Sequence, residues 1–286
     1  MVTRWGLFAG ATLIVLLVVL GLSRATAREL TTGDRAPEPP AGGDSAPTPE
    51  GGEATPAEDP TPSGEPTLAR ERTPAGEPDR RPGVTRPRRS ARAPEEDLLF
   101  SAALSQVLVG ALLAGLAWYA EVPAGALGIG DPSTAMLPGI ALGAGLYAAN
   151  EAGAWVAERA GIDADESLRE LLAPETAGGW LLLLGVVLPL VALVEEFLFR
   201  AALVGALAAG FSVSPWLLAV LSSVAFGVGH GLQGPGGVAV TGALGFVLAA
   251  AFVLTGSLWV VVVAHYLVNA LEFLVHEGLG VDWGDP

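Results

Sequence analysis

The chain has 286 residues, 51% of them hydrophobic, and a mean hydropathy of +0.51, too apolar for an ordinary soluble domain. It contains no cysteine, which excludes disulfides, thiolate zinc sites and cysteine nucleophiles. Its 15 basic residues are all arginine and face 30 acidic ones, a net charge of −15 that argues against a nucleic-acid partner, because such partners need basic patches. An acidic, lysine-free surface suits a high-salt medium, and a GC-rich codon bias would produce the same composition.

Seven apolar segments are predicted to form membrane-length helices: 5–22, 98–120, 134–156, 180–204, 214–231, 236–254 and 257–276. The first admits two readings. Arg4, the apolar run to Leu22 and Ala25-Thr26-Ala27 resemble a signal peptide with a small-residue cleavage site. As an uncleaved anchor, residues 1–22 instead stay in the membrane. Arginine placement favours the anchor. Arg80, Arg81, Arg86, Arg88, Arg89 and Arg92 precede one helix, and Arg159 and Arg169 lie in the 157–179 loop two helices later, so both places share one side. The positive-inside rule makes that side cytoplasmic, and a cleaved signal would export the first group.

Residues 23–97 are rich in Pro, Gly, Glu, Asp, Thr and Arg and lack periodic apolar positions. Such a segment cannot bury enough surface to offset its chain entropy, so a disordered linker is predicted. Residues 98–286 lack the period-2 alternation of strands. They read as an all-α, polytopic membrane bundle of about six helices in a multi-pass protein of the cell membrane. The small residues of GALLAGLA (110–117) and ALGAGLYAA (141–149) would let its helices approach closely.

The stretch VEEFLFR, 194–200, places Glu195, Glu196 and Arg200 at membrane depth. Each such charge costs roughly 2.5–3.5 kcal/mol at a helix centre, so these groups must be paired, buried in protein or near water. Glu196 and Arg200 are i, i+4 in the acid-first order that favours an ion pair. Glu195 is rotated by about 100° and is left free. His265 and Asn269 repeat the i, i+4 interval on one helix, and Phe226 and His230 repeat it on another. Singly, a Glu–Arg pair reads as a structural staple and a lone His as a hydrogen-bonded core residue. Together they supply a base, a proton carrier and oxyanion donors on three helices. His276 and Glu272 fall near a helix end and are set aside.

Other intramembrane chemistries fit poorly. No His-Glu-x-x-His occurs, Ser212 in GFSVS lacks the following glycine of a serine nucleophile, and Gly128-Ile129-Gly130-Asp131 reads as a turn because Pro132 follows and no Tyr-Asp partner exists.

Three motifs stand in order on separate apolar helices: E195-E196-F-L-F-R200, F226-G-V-G-H230 and H265-Y-L-V-N269. In this the chain resembles the CPBP family of intramembrane proteases, also called the CAAX protease/Abi family. Phe199 and the Ser222-Ser223-x-x-Phe-Gly pattern add to the likeness; Ala201 departs from it, where glycine commonly follows the arginine. The resemblance covers about residues 180–276 of a protease domain at 98–286. It implies hydrolysis of a peptide bond within the membrane, with Glu195, assisted by His230, activating water. It further implies that His265 and Asn269 stabilise the oxyanion and that Glu196 and Arg200 shape the site. Glu195, His230 and His265 are the ligands expected if Zn2+ is used, and water alone would serve the same groups. The implied partners are membrane lipids and a membrane-protein or lipidated-peptide substrate. Two rival functions keep the same residues: a non-catalytic scaffold or immunity-type protein, and a proton-coupled transporter. Against transport, no paired broken helices occur in matching halves, and Pro189 has no counterpart.

Overall fold

The computed structural model describes residues 3–33, 94–159 and 167–281. Among them the secondary structure is helical throughout: α1 (Trp5–Gly33), α2 (Pro94–Tyr119), α3 (Met136–Arg159), α4 (Ser167–Leu172), α5 (Ala177–Phe211), α6 (Pro215–Gly229), α7 (Gly234–Thr255) and α8 (Leu258–Gly278). Short 3-10 turns at Ala124–Leu127, Pro132–Thr134 and Gly231–Gln233 join them. The chain is an all-α, multi-pass membrane bundle. The part of the predicted linker at 34–93 lies outside the described residues; before it, α1 continues past Leu22 to Gly33, and after it α2 begins at Pro94.

Five of the seven predicted segments are long and apolar enough to cross a membrane, namely those in α1, α2, α5, α7 and α8. The predicted 214–231 is the 15-residue α6, bounded by Pro215 and the glycines around His230. The predicted 134–156 is α3, whose C-terminal half carries Asn150, Glu151 and Arg159 and lowers its hydropathy. The predicted loop 157–179 holds α4 and the first turn of α5. Helix α5 is 35 residues long and runs past its expected stop at Val204 to the left-handed Ser212 (φ 56°). It also passes through Pro189. A π-helical stretch, Leu183–Val187, lies just before that proline and accommodates the ring and the missing N–H.

Helix ends sort to two ends of the bundle. At one end the Arg4 N–H donates to the Ala120 carbonyl (2.9 Å), the Leu258 N–H donates to the Gly128 carbonyl (2.9 Å), and Gly210 packs on Trp5. At the other end Ser23 meets Gly229, and Asn150 and Arg169 meet Glu272. Both small-residue stretches make the close approaches that their composition predicts. A Cβ at Gly110 would fall 2.8 Å from Val194 Cγ2, and one at Gly143 would fall 2.8 Å from the Ala264 carbonyl oxygen. Gly128-Ile129-Gly130-Asp131 is a turn. Gly128 sits at φ 67°, and the Asp131 carboxylate accepts the Ser133 N–H at 2.9 Å.

Helix α1 packs into the body. Phe8 lies in one core cluster with Ala201, Leu248 and Phe252; Val15 and Leu16 lie in another with Leu198, Phe199 and Phe226. Its opposite face exposes Leu13, Ile14 and Leu17, as a lipid-facing surface would.

Candidate active site

Helix α5 supplies the charges. At Phe197 its backbone passes into π geometry, which continues to Ala206, so the turn bearing Arg200 is wider than an α-turn. Arg200 Nη1 donates to Glu196 Oε1 at 2.9 Å, and Arg200 Nη2 donates to the Gly245 carbonyl of α7 at 2.9 Å. Both charged side chains are buried, and the guanidinium lies 4.6 Å from the centre of the Phe226 ring, a cation–π contact. Gly245 is required there. A Cβ at that position would lie 2.9 Å from Phe226 Cδ1 and 3.3 Å from Arg200 Nη2. Nearby, the Ser222 hydroxyl of α6 donates to the Phe199 carbonyl (2.6 Å), satisfying a backbone acceptor within the π segment.

Helix α8 brings His265, buried to 3% exposure, over the same carboxylate, and its Nδ1 lies 2.7 Å from Glu196 Oε1. Since a carboxylate only accepts, this nitrogen carries the proton, and Nε2 points the other way. Helix α6 ends at His230, whose Nδ1 lies 2.8 Å from the Phe226 carbonyl. Its Nδ1 is likewise the protonated nitrogen. Both rings therefore turn Nε2 toward a common target. Glu195 Oε2 lies 3.8 Å from His265 Nε2 and 3.9 Å from His230 Nε2. That carboxylate oxygen is buried and has no hydrogen-bond partner. Phe226 lies against both rings, with centroids 4.6 Å from His230 and 6.0 Å from His265.

Five of the six sequence-predicted residues thus converge: Glu195, Glu196, Arg200, His230 and His265. Asn269 stands one turn beyond His265 on α8, half-buried, and no hydrogen bond joins its side chain to the other five. The ion pair that frees Glu195 matches the expectation from spacing. What spacing does not convey is that Glu196 also holds His265. Three contributors escape the motifs. Gly245 reads as one small residue among many, Ser222 matches a family pattern without a deducible partner, and Ser23 sits just past a segment read as an anchor.

The donor set is right in kind for a cation. Two imidazole Nε2 atoms and a carboxylate oxygen converge, and the histidines' other nitrogens are fixed by second partners, as for metal ligands. The spacing is loose, since zinc ligands at 2.0–2.2 Å in a tetrahedron sit about 3.4 Å apart. Among the described residues, the His and acidic groups whose ligand atoms all lie within 4.8 Å of one another are instead Glu151, Glu272 and His276. These belong to a polar staple at the far end of α3 and α8. His276 Nε2 lies 3.0 Å from Glu151 Oε1, Asn150 donates to Glu272 (2.6 Å), and Arg169 of α4 donates to Glu277 (2.9 Å).

The 15 residues of α6 span roughly 22 Å, short of the roughly 30 Å hydrocarbon core. At the end of this helix His230 keeps a side-chain exposure of 27%, and Glu195 beside it keeps 20%. Ser212 is exposed at the C-terminal end of α5, beyond the π segment, and no base accompanies it among the described residues.

Residues 177–271, about a third of the chain, match the family model described as type II CAAX prenyl endopeptidase Rce1-like. The match contains all three motifs, so over this segment the chain is similar to the CAAX-protease family. No curated protein and no solved structure matches the chain.

Proposed function

Starting from a CAAX-protease-like core at 177–271, we propose that this protein hydrolyses a peptide bond at membrane depth in a prenylated, CAAX-like substrate, using a water activated by Glu195. The observation that carries the reading is the orphaned Glu195 Oε2, faced at 3.8 and 3.9 Å by the Nε2 atoms of His265 and His230. Glu195 Oε2 is closed to solvent in this arrangement, so the reading requires the three groups to part enough to admit one water among them. Glu195 takes a proton from that water as it attacks the scissile carbonyl, and His230 carries the proton onward to the leaving amine. His265, in its protonated form, donates from Nε2 to the developing oxyanion while Glu196 holds its Nδ1–H, and Asn269 offers a second donor from the next turn. Arg200 and Glu196 act by position: they fix His265 and the π segment that presents Glu195. Zn2+, held by Glu195, His230 and His265, would supply Lewis-acid polarisation of the carbonyl and a more acidic water.

The test is the purified full chain in lipid nanodiscs, incubated with a peptide ending in prenylcysteine and three further residues. Mass spectrometry should find the released tripeptide with wild type and none with Glu195→Gln. Equal cleavage by both would overturn the assignment. Absence of cleavage by a folded wild type, across prenylated and unprenylated peptides, would favour a scaffold.

A further inference from the structure

His230 sits in GVGHG, between glycines at 227, 229 and 231 that leave the backbone unusually free. It also follows a helix terminus, where the last four carbonyls have no partner within the helix. Its ring nevertheless has to hold Nε2 on Glu195. Three hydrogen bonds accomplish this. The ring's own Nδ1–H goes to the Phe226 carbonyl at 2.8 Å, and the His230 backbone N–H goes to the Gly227 carbonyl at 3.0 Å. The third comes from α1, where the Ser23 hydroxyl donates to the Gly229 carbonyl at 2.5 Å. The peptide unit joining Gly229 to His230 is therefore gripped at both ends, its N–H by α6 and its C=O by α1. Leu20 of α1 lies against Gly229, and one to two turns earlier Leu16 and Val15 pack with Phe226 and Phe199.

We propose that α1 is a retained, working part of the catalytic body and that Ser23 is a positioning residue for His230, acting through the Gly229 carbonyl. The proposal rests on the proteolytic reading of the site. Rotation of the Gly229–His230 peptide would swing the imidazole off Glu195, and without Ser23 only one of the two ends resists it. Helix α1 lies outside the matched segment 177–271, so that segment does not carry its own complete support for His230. The signal-like Ala25-Thr26-Ala27 lies only a few residues beyond Ser23, and cleavage there would remove the hydroxyl.

The experiment compares wild type, Ser23→Ala and Ser23→Thr as full chains in nanodiscs, with thermal stability confirming that each is folded. For Ser23→Ala we expect kcat to fall about tenfold with KM unchanged, a modest part of what misplacing a catalytic group can cost. Ser23→Thr should restore most of the rate. The chain has only 3 histidines, so 15N ring signals give a second readout. The Nδ1–H tautomer signal of His230 should be sharp in wild type and broadened in Ser23→Ala, with His276 unchanged. Wild-type kcat and an unaltered His230 signal in Ser23→Ala would overturn the proposal while leaving the proteolytic reading standing. A His230 change in a chain that cleaves no peptide would keep the positioning role and sink that reading instead.

Discussion

Glu196→Gln removes one charge from a site that is almost wholly enclosed. In the wild type, Glu196 Oε1 accepts from Arg200 at 2.9 Å and from His265 at 2.7 Å, and both Glu196 and Arg200 have 0% exposure. At 2.9 Å and an effective dielectric of about 20, the gross attraction is roughly 6 kcal/mol. The glutamine oxygen keeps a weaker acceptor, so the net loss should fall near the 3–5 kcal/mol typical of a buried pair that loses one partner. That corresponds to a fall in unfolding temperature on the order of 10 °C. Activity should fall with stability, because His265 loses its charged anchor. Adding Arg200→Met to Glu196→Gln should recover part of the stability, since no unpaired charge then remains. The assay is thermal unfolding in detergent, with cleavage rate measured on the same samples. An unfolding temperature for Glu196→Gln within about 2 °C of wild type would refute the structural role of the pair. If that variant were also inactive while Glu195→Gln cleaved, the two glutamates' roles would be reversed.

Gly245→Ala should be unexpectedly severe, because the new methyl meets Phe226 and Arg200 at 2.9 and 3.3 Å; unfolding temperature and rate should both drop, in contrast to Gly115→Ala, whose Cβ position is open. Ser222→Ala leaves the buried Phe199 carbonyl without its donor and should cost about 1–3 kcal/mol, read by thermal unfolding. His276→Ala should loosen the staple between α3 and α8 and lower stability while leaving kcat of the folded fraction near wild type. If Zn2+ is resident, chelation should abolish cleavage and metal analysis should find one ion that is lost in His230→Ala; full activity of a metal-free sample would leave Glu195 and the histidines working with water alone.

Much of this architecture was readable because membrane burial writes strong signals. Apolar length gave the helices, and the cost of charge at membrane depth singled out Glu195, Glu196 and Arg200. The i, i+4 spacing gave the Glu196–Arg200 pair without any tertiary information. What stayed hidden depends on contacts between distant segments or on backbone geometry without a residue signature. The π segment at Phe197–Ala206 has no proline and a single glycine, Gly205, next to its end, which does not announce it. His265 on Glu196 joins residues 69 positions apart, and Ser23 on Gly229 joins residues 206 apart. Gly245 matters only because Arg200 and Phe226 arrive beside it. The expected span at 214–231 came out short because periodicity cannot tell a helix that crosses from one that stops at a functional turn.

The central claim is that Glu195 activates the attacking water, and its most direct measurement is the hydrolysis rate of Glu195→Gln in a sample whose unfolding temperature equals that of wild type. The amide keeps the side chain's shape but cannot take the proton, so cleavage should fall by at least about a hundredfold, as loss of a general base implies. A folded Glu195→Gln protein that retains a rate within a few-fold of wild type would contradict the account.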